Sequence, residues 1–345
     1  MKALYQEAVH KAILKDVEKP VLKSEKDVLV KITSTTICGS DVHIIEGVIP
    51  TKPGFVLGHE YVGVIEEVGS EVKKFKIGDR VTGPPAPYCG ECINCKRGNV
   101  AHCLNGGIHG SGEAMGGLDG THAEYMSVPH ADNCLLKLPE NITDEQAIFV
   151  ADIAATGYSA AVHFGVKDTD NVVVFGCGPV GLSAIATTKL HKPKTIIAVE
   201  KSKNRLKKAF EMGATHGIVV GEDNVLAKIA EYTNNLGADL VIDAVGLEVT
   251  INQGLECLGI NGNLYMVGIP VKPVVIDPKY FFKNITFAMG LGNLAIIETL
   301  LNKVIEGKLD LTPLITHTMK LTEIEKALNM FMNNPDEVVK IIIKP

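Results

Sequence analysis

Val172-Val173-Val174-Phe175 runs without a break into Gly176-Cys177-Gly178-Pro179-Val180-Gly181. Four apolar residues, three of them β-branched, read as a buried strand. The three glycines of the loop answer three steric needs. Gly176 permits the tight turn, Gly178 lets the backbone approach a pyrophosphate, and Gly181 lets the following helix pack closely on the strand. Pro179 suits the first helical turn, where its missing N–H costs nothing. The free N–H groups of that turn, Val180 included, present partial positive charge to an anion.

Such a loop is a weak signal alone, because a glycine-rich turn beside a surface glutamate looks the same. Its context is specific. The next apolar run, Ile196-Ile197-Ala198-Val199, ends in Glu200. An acidic residue roughly 20 positions beyond the glycines is expected to bind the adenosine ribose hydroxyls of a dinucleotide. A carboxylate there repels a 2′-phosphate, so NAD is expected over NADP. Lys201, Lys203 and Arg205 follow at once and could attract that phosphate, although a charge run is more commonly a solvated helix face.

Short apolar runs recur on both sides of the loop: Val172–Phe175, Ile196–Val199, Gly217–Val220, Leu240–Ile242, Asn263–Val267 and Ile285–Met289. Helical patterns such as Ser202–Met212 and Asp223–Asn235 lie between them. This alternation predicts an α/β fold with a doubly wound parallel sheet, its strands apolar on both faces. The first 150 residues lack the alternation. Val28-Leu29-Val30-Lys31-Ile32 and Tyr61 to Val68 have strand composition, and Gly78-Asp79-Arg80-Val81 reads as a turn entering a strand. A β-barrel-like unit is expected there. In the tail, Leu294–Glu306 reads as an amphipathic helix closed by Gly307, and Thr322-Glu323-Ile324-Glu325 as a capping box opening another.

The chain has 345 residues, 46% hydrophobic, with 34 glycines and net charge -6. That length favours two domains. No basic stripe points to nucleic acid. No apolar stretch is expected to reach the roughly 18 to 20 residues of a membrane helix, and Met1-Lys2-Ala3-Leu4-Tyr5-Gln6-Glu7 lacks a signal peptide's apolar core. A cytoplasmic enzyme is expected.

Eight cysteines argue against a disulfide framework in that compartment, and four crowd together: Cys89, Cys92, Cys95 and Cys103. CxxCxxCx7C fits a closed tetrahedral structural zinc site better than an iron–sulfur cluster or a redox-active CxxC. Cys134, Cys177 and Cys257 read as packing thiols. A more scattered group comprises Cys38-Gly39-Ser40-Asp41-Val42-His43, Gly58-His59-Glu60 and Asp152, followed by Thr156-Gly157. Spacing alone leaves it weak, since a lone cysteine is usually core.

Taken together, these motifs resemble the zinc-containing medium-chain alcohol dehydrogenases, in the family's order and over essentially the whole length. The chain looks most similar to the bacterial secondary-alcohol and polyol branch, where an aspartate is the third zinc ligand. The resemblance implies a GroES-like β-barrel catalytic domain over residues 1–152, a Rossmann NAD-binding domain over 153–292, and a segment, 293–345, that returns to the catalytic domain. It implies two zinc ions per chain. Cys38, His59 and Asp152 would hold the catalytic one, with Glu60 beside it or as an alternate ligand. Cys89, Cys92, Cys95 and Cys103 would hold the structural one. Thr156 would lie near the nicotinamide and Val245 beside the cofactor, while the backbone of Val267, Gly268 and Ile269 would hold the carboxamide. Lys340 resembles a basic residue that approaches the cofactor phosphates. Ser40 would accept the alcohol proton, and a ribose hydroxyl would relay it to His43.

Such a protein moves a hydride between a small, secondary alcohol and NAD, giving the ketone or aldehyde reversibly. Polyols, vicinal diols, threonine and formaldehyde are rival substrates within the family. A cofactor-binding relic without chemistry is disfavoured by the intact zinc set. Some secondary-alcohol relatives lack the four lobe cysteines and carry Gly-Ser-Arg in place of Glu200-Lys201-Ser202. This chain departs from both habits, which again favours NAD. A homo-oligomer, tetramer or dimer, is implied, and the Val274–Met289 region could supply an edge strand across a dimer.

Overall fold

The computed structural model describes residues 1–270 and 272–345. Strand Asn171–Phe175 lies inside a six-stranded parallel sheet. Reading across that sheet, the strands are His216–Val219, Thr195–Glu200, Asn171–Phe175, Ala238–Asp243, Leu258–Met266 and Thr286–Met289. Numbered along the chain this order is 3-2-1-4-5-6, the doubly wound arrangement. The register sets Val172 against Ile196 on one side and Leu240 on the other. All five residues of Asn171–Phe175 are buried, because helices cover both faces of the sheet and leave no place for an alternating polar residue. Its core gathers Val173, Phe175, Ile197, Val199, Ile218, Val241 and Leu264.

Side chains mark where the helices begin. Ser202 accepts from the Arg205 N–H and starts helix Lys203–Met212. Asn224 does the same for Val225–Tyr232 through Ala227. In both places a short polar side chain satisfies an N–H that the first helical turn leaves without a partner.

The chain divides into two units. One holds Ile153–Gly292 and Glu306–Leu314, and therefore the parallel sheet. The other holds Met1–Asp152, Asn293–Ile305 and Ile315–Pro345. Its larger sheet pairs Val28–Thr36 antiparallel with Tyr61–Val68 and with Tyr125–Val128. The late strand Lys340–Lys344 is paired with Val28–Thr36 as well, and runs parallel to Ile315–Lys320. A smaller sheet joins Lys11–Asp16, Lys2–Ala8 and Phe55–Val56. Late residues share the core of the early ones: Leu321, Ile324, Ala327, Val338, Ile341 and Ile343 pack with Leu4, Ile37, Ile44 and Leu57.

Two sequence expectations need correction. Helix Ile324–Asn333 is not opened by Thr322. A 3-10 turn, Leu321–Glu323, precedes it, and Glu323 reaches back to the Lys320 N–H at 3.4 Å. The polar reach-back therefore begins two residues earlier than the motif suggested. The helical run Asp144–Phe164 is also long and apolar enough to span a bilayer, contrary to the expected absence of any such stretch. Its apolar side chains serve a protein interior instead: 67% of the apolar window is buried inside the protein.

Candidate functional site

The register of Val28–Thr36 against Tyr61–Val68 places Thr35 opposite Tyr61. That pairing brings Cys38, just beyond one strand, to the same end as His59 and Glu60, just before the other. Cys38 then begins helix Gly39–Ile45, and the Asp41 carboxylate caps it by accepting the Cys38 N–H at 2.8 Å. Asp152 arrives on the π-helical turn Val150–Ala154, an irregularity often found at functional sites. One donor atom each from Cys38, His59, Glu60 and Asp152 lies within 4.8 Å of the others.

This donor set fits zinc. His59 Nε2 and Asp152 Oδ2 stand 3.4 Å apart, and two ligands of one tetrahedral zinc are separated by roughly 3.3 Å. The electrostatics ask for a cation too. Burial pushes the Glu60 carboxyl up to about 7, with the charge of Asp152 adding to it and the charges of Lys340 and His59 opposing. Burial disfavours a charge on His59, yet the Asp41 carboxylate and hydrogen bonds to Asp152, Asp41 and Cys38 hold its pKa well above the usual histidine value. A thiol, an imidazole and two carboxylates gathered this closely suit a cation, which the imidazole would bind in its neutral form.

The Cys89, Cys92, Cys95 and Cys103 sulfurs also lie within 4.8 Å of one another. Cys92 Sγ is 3.5 Å from Cys95 Sγ and 4.0 Å from Cys103 Sγ, and thiolates on one zinc are roughly 3.8 Å apart. Backbone N–H groups of Leu104 and Cys95 hold the Cys92 thiol down at about 6, while burial pushes Cys95 up to about 12. Four thiols this close ionise together only around a metal. Replacing Cys92 with serine is expected to remove the metal of this lobe and leave the other. Structural zinc contributes about 10–16 kcal/mol to peptide-scale folds, so residues 89–103 should become protease-sensitive. A variant with unchanged zinc content and unchanged proteolysis would count against a structural site.

The glycine loop has the close approaches that its sequence requires. Gly176 takes φ +85, and a Cβ there would lie 2.5 Å from a Val245 methyl. A Cβ on Gly181 would lie 1.9 Å from the Gly176 carbonyl oxygen. Gly178 caps helix Pro179–Thr188, with Pro179 in its first turn and Val180 after it. Arg205 reaches this loop, its Nη1 3.8 Å from where a Gly178 Cβ would sit. Glu200 ends its strand with the carboxylate folded onto three backbone donors: Cys177 at 2.7 Å, Lys201 at 2.8 Å and Ser202 at 3.0 Å. Lys203 is paired with Glu222 on an exposed helix face.

At the carboxyl ends of the same strands, the Val267 and Gly268 N–H groups both bond the Asp243 carbonyl. A Cβ on Gly268 would lie 2.5 Å from Gly246 N, and one on Gly246 would lie 2.6 Å from the Ile269 carbonyl. Val245 is thereby joined to the 267–269 segment. Thr156 lies in helix Ala155–Phe164 with its backbone against Gly292.

Lys340 is paired with Glu60. Its Nζ is fully buried, 2.5 Å from Glu60 Oε1 and 3.1 Å from the Ile37 carbonyl. A buried ammonium on a buried carboxylate makes Lys340 the counter-ion of Glu60. Ser40 Oγ lies 3.2 Å from His59 Nε2. His43 is half-buried, which lowers its pKa below the usual value, and no hydrogen bond joins it to Ser40 among the described residues.

The sequence did not single out Asp41. Its Oδ1 faces His59 Nδ1 at 3.4 Å, turning the other ring nitrogen towards Cys38 and Asp152. Its place three residues after Cys38 was the available signal. His122, Thr35 and Thr121, buried around it, left no signal at all. Asp243 was missed too, although its Oδ1 accepts from Val245 and Gly246 and shapes that turn.

Residues 24–140 match the family profile "Alcohol dehydrogenase GroES-like domain", and residues 179–304 match "Zinc-binding dehydrogenase". An alcohol dehydrogenase of Cupriavidus necator is 35% identical, with 92% of this chain and 92% of that protein covered. An L-threonine 3-dehydrogenase of Escherichia fergusonii is 34% identical over 95% of this chain and 96% of its own length. The solved structure of the alcohol dehydrogenase TADH from Thermus sp. ATN1 is 34% identical with a TM-score of 0.94, covering 100% of this chain and 99% of that one.

Proposed function

Because this chain belongs to the zinc-dependent medium-chain alcohol dehydrogenase family, we propose that its substrates are small secondary alcohols, oxidised reversibly to ketones with NAD. The observation that carries this reading is the cluster of Cys38, His59 and Asp152, with Glu60 beside it. Three protein ligands leave a position open for substrate, whereas the four-cysteine lobe leaves none. When bound, zinc supplies a Lewis acid that eases loss of the alcohol proton, and the nicotinamide supplies the hydride acceptor.

The chain's own residues do the rest. Cys38, His59 and Asp152 hold the metal, with their orientation set by Asp41 behind His59. Ser40 Oγ is close enough to this cluster to take up the alcohol proton. His43, kept below the usual histidine pKa by partial burial, is neutral at pH 7 and able to receive it. Gly176, Gly178 and Gly181 let the pyrophosphate approach backbone, and Glu200 favours ribose hydroxyls over a 2′-phosphate. The threonine dehydrogenase relative keeps an amino alcohol among the substrates to be tried.

We further propose a homo-oligomer, dimer or tetramer. Strand Thr286–Met289 ends the parallel sheet, and Phe281 and Phe282 beside it are 79% and 85% exposed. An unpaired edge beside large exposed aromatics is what a second copy would cover.

The deciding assay is reduction of NAD and of NADP by the purified protein against secondary alcohols, diols, polyols and threonine, with and without a zinc chelator. Chelator-sensitive NAD reduction with secondary alcohols is expected. If zinc is fully bound and none of these alcohols turns over, the substrate reading falls.

A further inference from the structure

The Asp41 carboxylate serves two histidines. It is 1% exposed. Oδ1 faces His59 Nδ1 at 3.4 Å and has no closer hydrogen-bond partner. Oδ2 accepts the Cys38 N–H at 2.8 Å and lies 3.2 Å from His122 Nε2. His122 is itself fully buried. Its Nδ1 is 2.9 Å from Thr35 Oγ1, and the Thr35 and Thr121 hydroxyls both reach the Glu60 carbonyl, at 2.9 and 3.1 Å. Backbone makes room for the ring. Gly58, the residue before His59, has φ +98, and a Cβ on it would lie 2.6 Å from the His122 ring.

The donors can be arranged in one direction. A carboxylate only accepts, so His122 Nε2 carries its hydrogen towards Asp41. Nδ1 then accepts from the Thr35 hydroxyl, and Thr121 supplies the Glu60 carbonyl. The run Thr35, His122, Asp41 ends at an oxygen that is already held twice. The carboxylate is thus kept from rotating, and its remaining oxygen is presented to His59 Nδ1. Partners of this kind fix the tautomer and orientation of a metal-binding imidazole.

We propose that His122 is a positioning residue for the catalytic zinc, acting through Asp41 to aim His59 Nε2. The proposal rests on the reading of Cys38, His59 and Asp152 as zinc ligands. Three substitutions separate positioning from simple packing. His122→Phe fills the ring's place without hydrogen bonds. His122→Gln puts a donor where Nε2 stood, facing Asp41. His122→Asn reaches only as far as Nδ1, towards Thr35.

The test measures zinc affinity at the catalytic site by chelator competition, together with the visible spectrum after cobalt replacement at that site. Phe and Asn are expected to weaken binding about tenfold or more, within the roughly 10–100-fold usual for groups that orient a ligand, and to shift the cobalt bands. Gln should recover most of both, and all three should keep the metal of the four-cysteine lobe. Unchanged affinity and spectrum in His122→Phe would overturn the proposal, as would rescue by Asn equal to that by Gln. Should Phe fail to fold, the Gln and Asn comparison decides. Cys38→Ala serves as the control for the underlying reading. If it leaves the metal content unchanged, the zinc assignment itself falls, and this proposal with it. If it removes one metal while the His122 variants change nothing, His122 alone is refuted.

Discussion

Cys38→Ala and His59→Ala are each expected to abolish turnover, lowering kcat/KM by about four orders of magnitude, while NAD binding persists. A metal acting on a substrate oxygen contributes several kcal/mol to the barrier, and each 1.36 kcal/mol is a factor of ten. Cys38 and His59 stand at the same end of two adjacent strands, and among the described residues the cluster holds one thiol and one imidazole. On the proposed reading cofactor binding rests on other residues, the Gly176 loop and Glu200, so a titration of NADH fluorescence should be nearly unchanged. Metal analysis should show one zinc lost from the two clusters and one retained. Full activity in either variant would refute the zinc assignment.

Lys340→Met is expected to destabilise the protein by about 3–5 kcal/mol, the usual result of removing one partner from a buried ion pair. Both side chains of the Lys340–Glu60 pair are 0% exposed. Burial opposes the charge on Lys340, but Glu60 raises its pKa above the ordinary lysine value, which keeps the ammonium charged. Without that charge the buried Glu60, already pushed up to about 7, must take up a proton or stay ionised next to Asp152. Lys340→Met combined with Glu60→Gln removes both charges and should regain most of the loss. Urea denaturation of the parent, the single variant and the double variant measures each term. A single variant as stable as the parent would show that Glu60 is neutralised by another route.

The two halves of the chain were unequally legible. The parallel sheet could be read because its central strands, Asn171–Phe175 and Thr195–Glu200, are buried throughout and mostly apolar, and the 172–181 stretch announced strand, turn and helix in one line. Ser202, named only as the start of a helical pattern, caps its helix. The metal clusters divided differently. Four cysteines within fifteen residues declare themselves, because the lobe that holds them is local. Cys38, His59 and Asp152 come from a helix start, a strand start and a π-helical turn, and only the family's order made them a group. Asp41, His122 and Thr35 were not legible. Their meaning lies in a hydrogen-bond run that crosses 87 residues of sequence between Thr35 and His122, and nothing in the local pattern distinguishes a buried polar network from a polar surface. The pairing of Lys340 was not legible for a related reason: its charge is visible in sequence, but its partner Glu60 lies 280 residues earlier.

That same separation bears on synthesis. Glu60 leaves the ribosome well before the lysine that neutralises it, and strand Val28–Thr36 well before Lys340–Lys344 closes over it. The parallel-sheet strands, by contrast, all lie between residues 171 and 289. Domains made early usually fold early, but here the early half holds an unfinished sheet and a buried acid without its counter-ion. The middle of the chain can therefore settle during translation, while the metal-binding half waits for strand Lys340–Lys344. Until then its apolar faces are the ones a chaperone would meet.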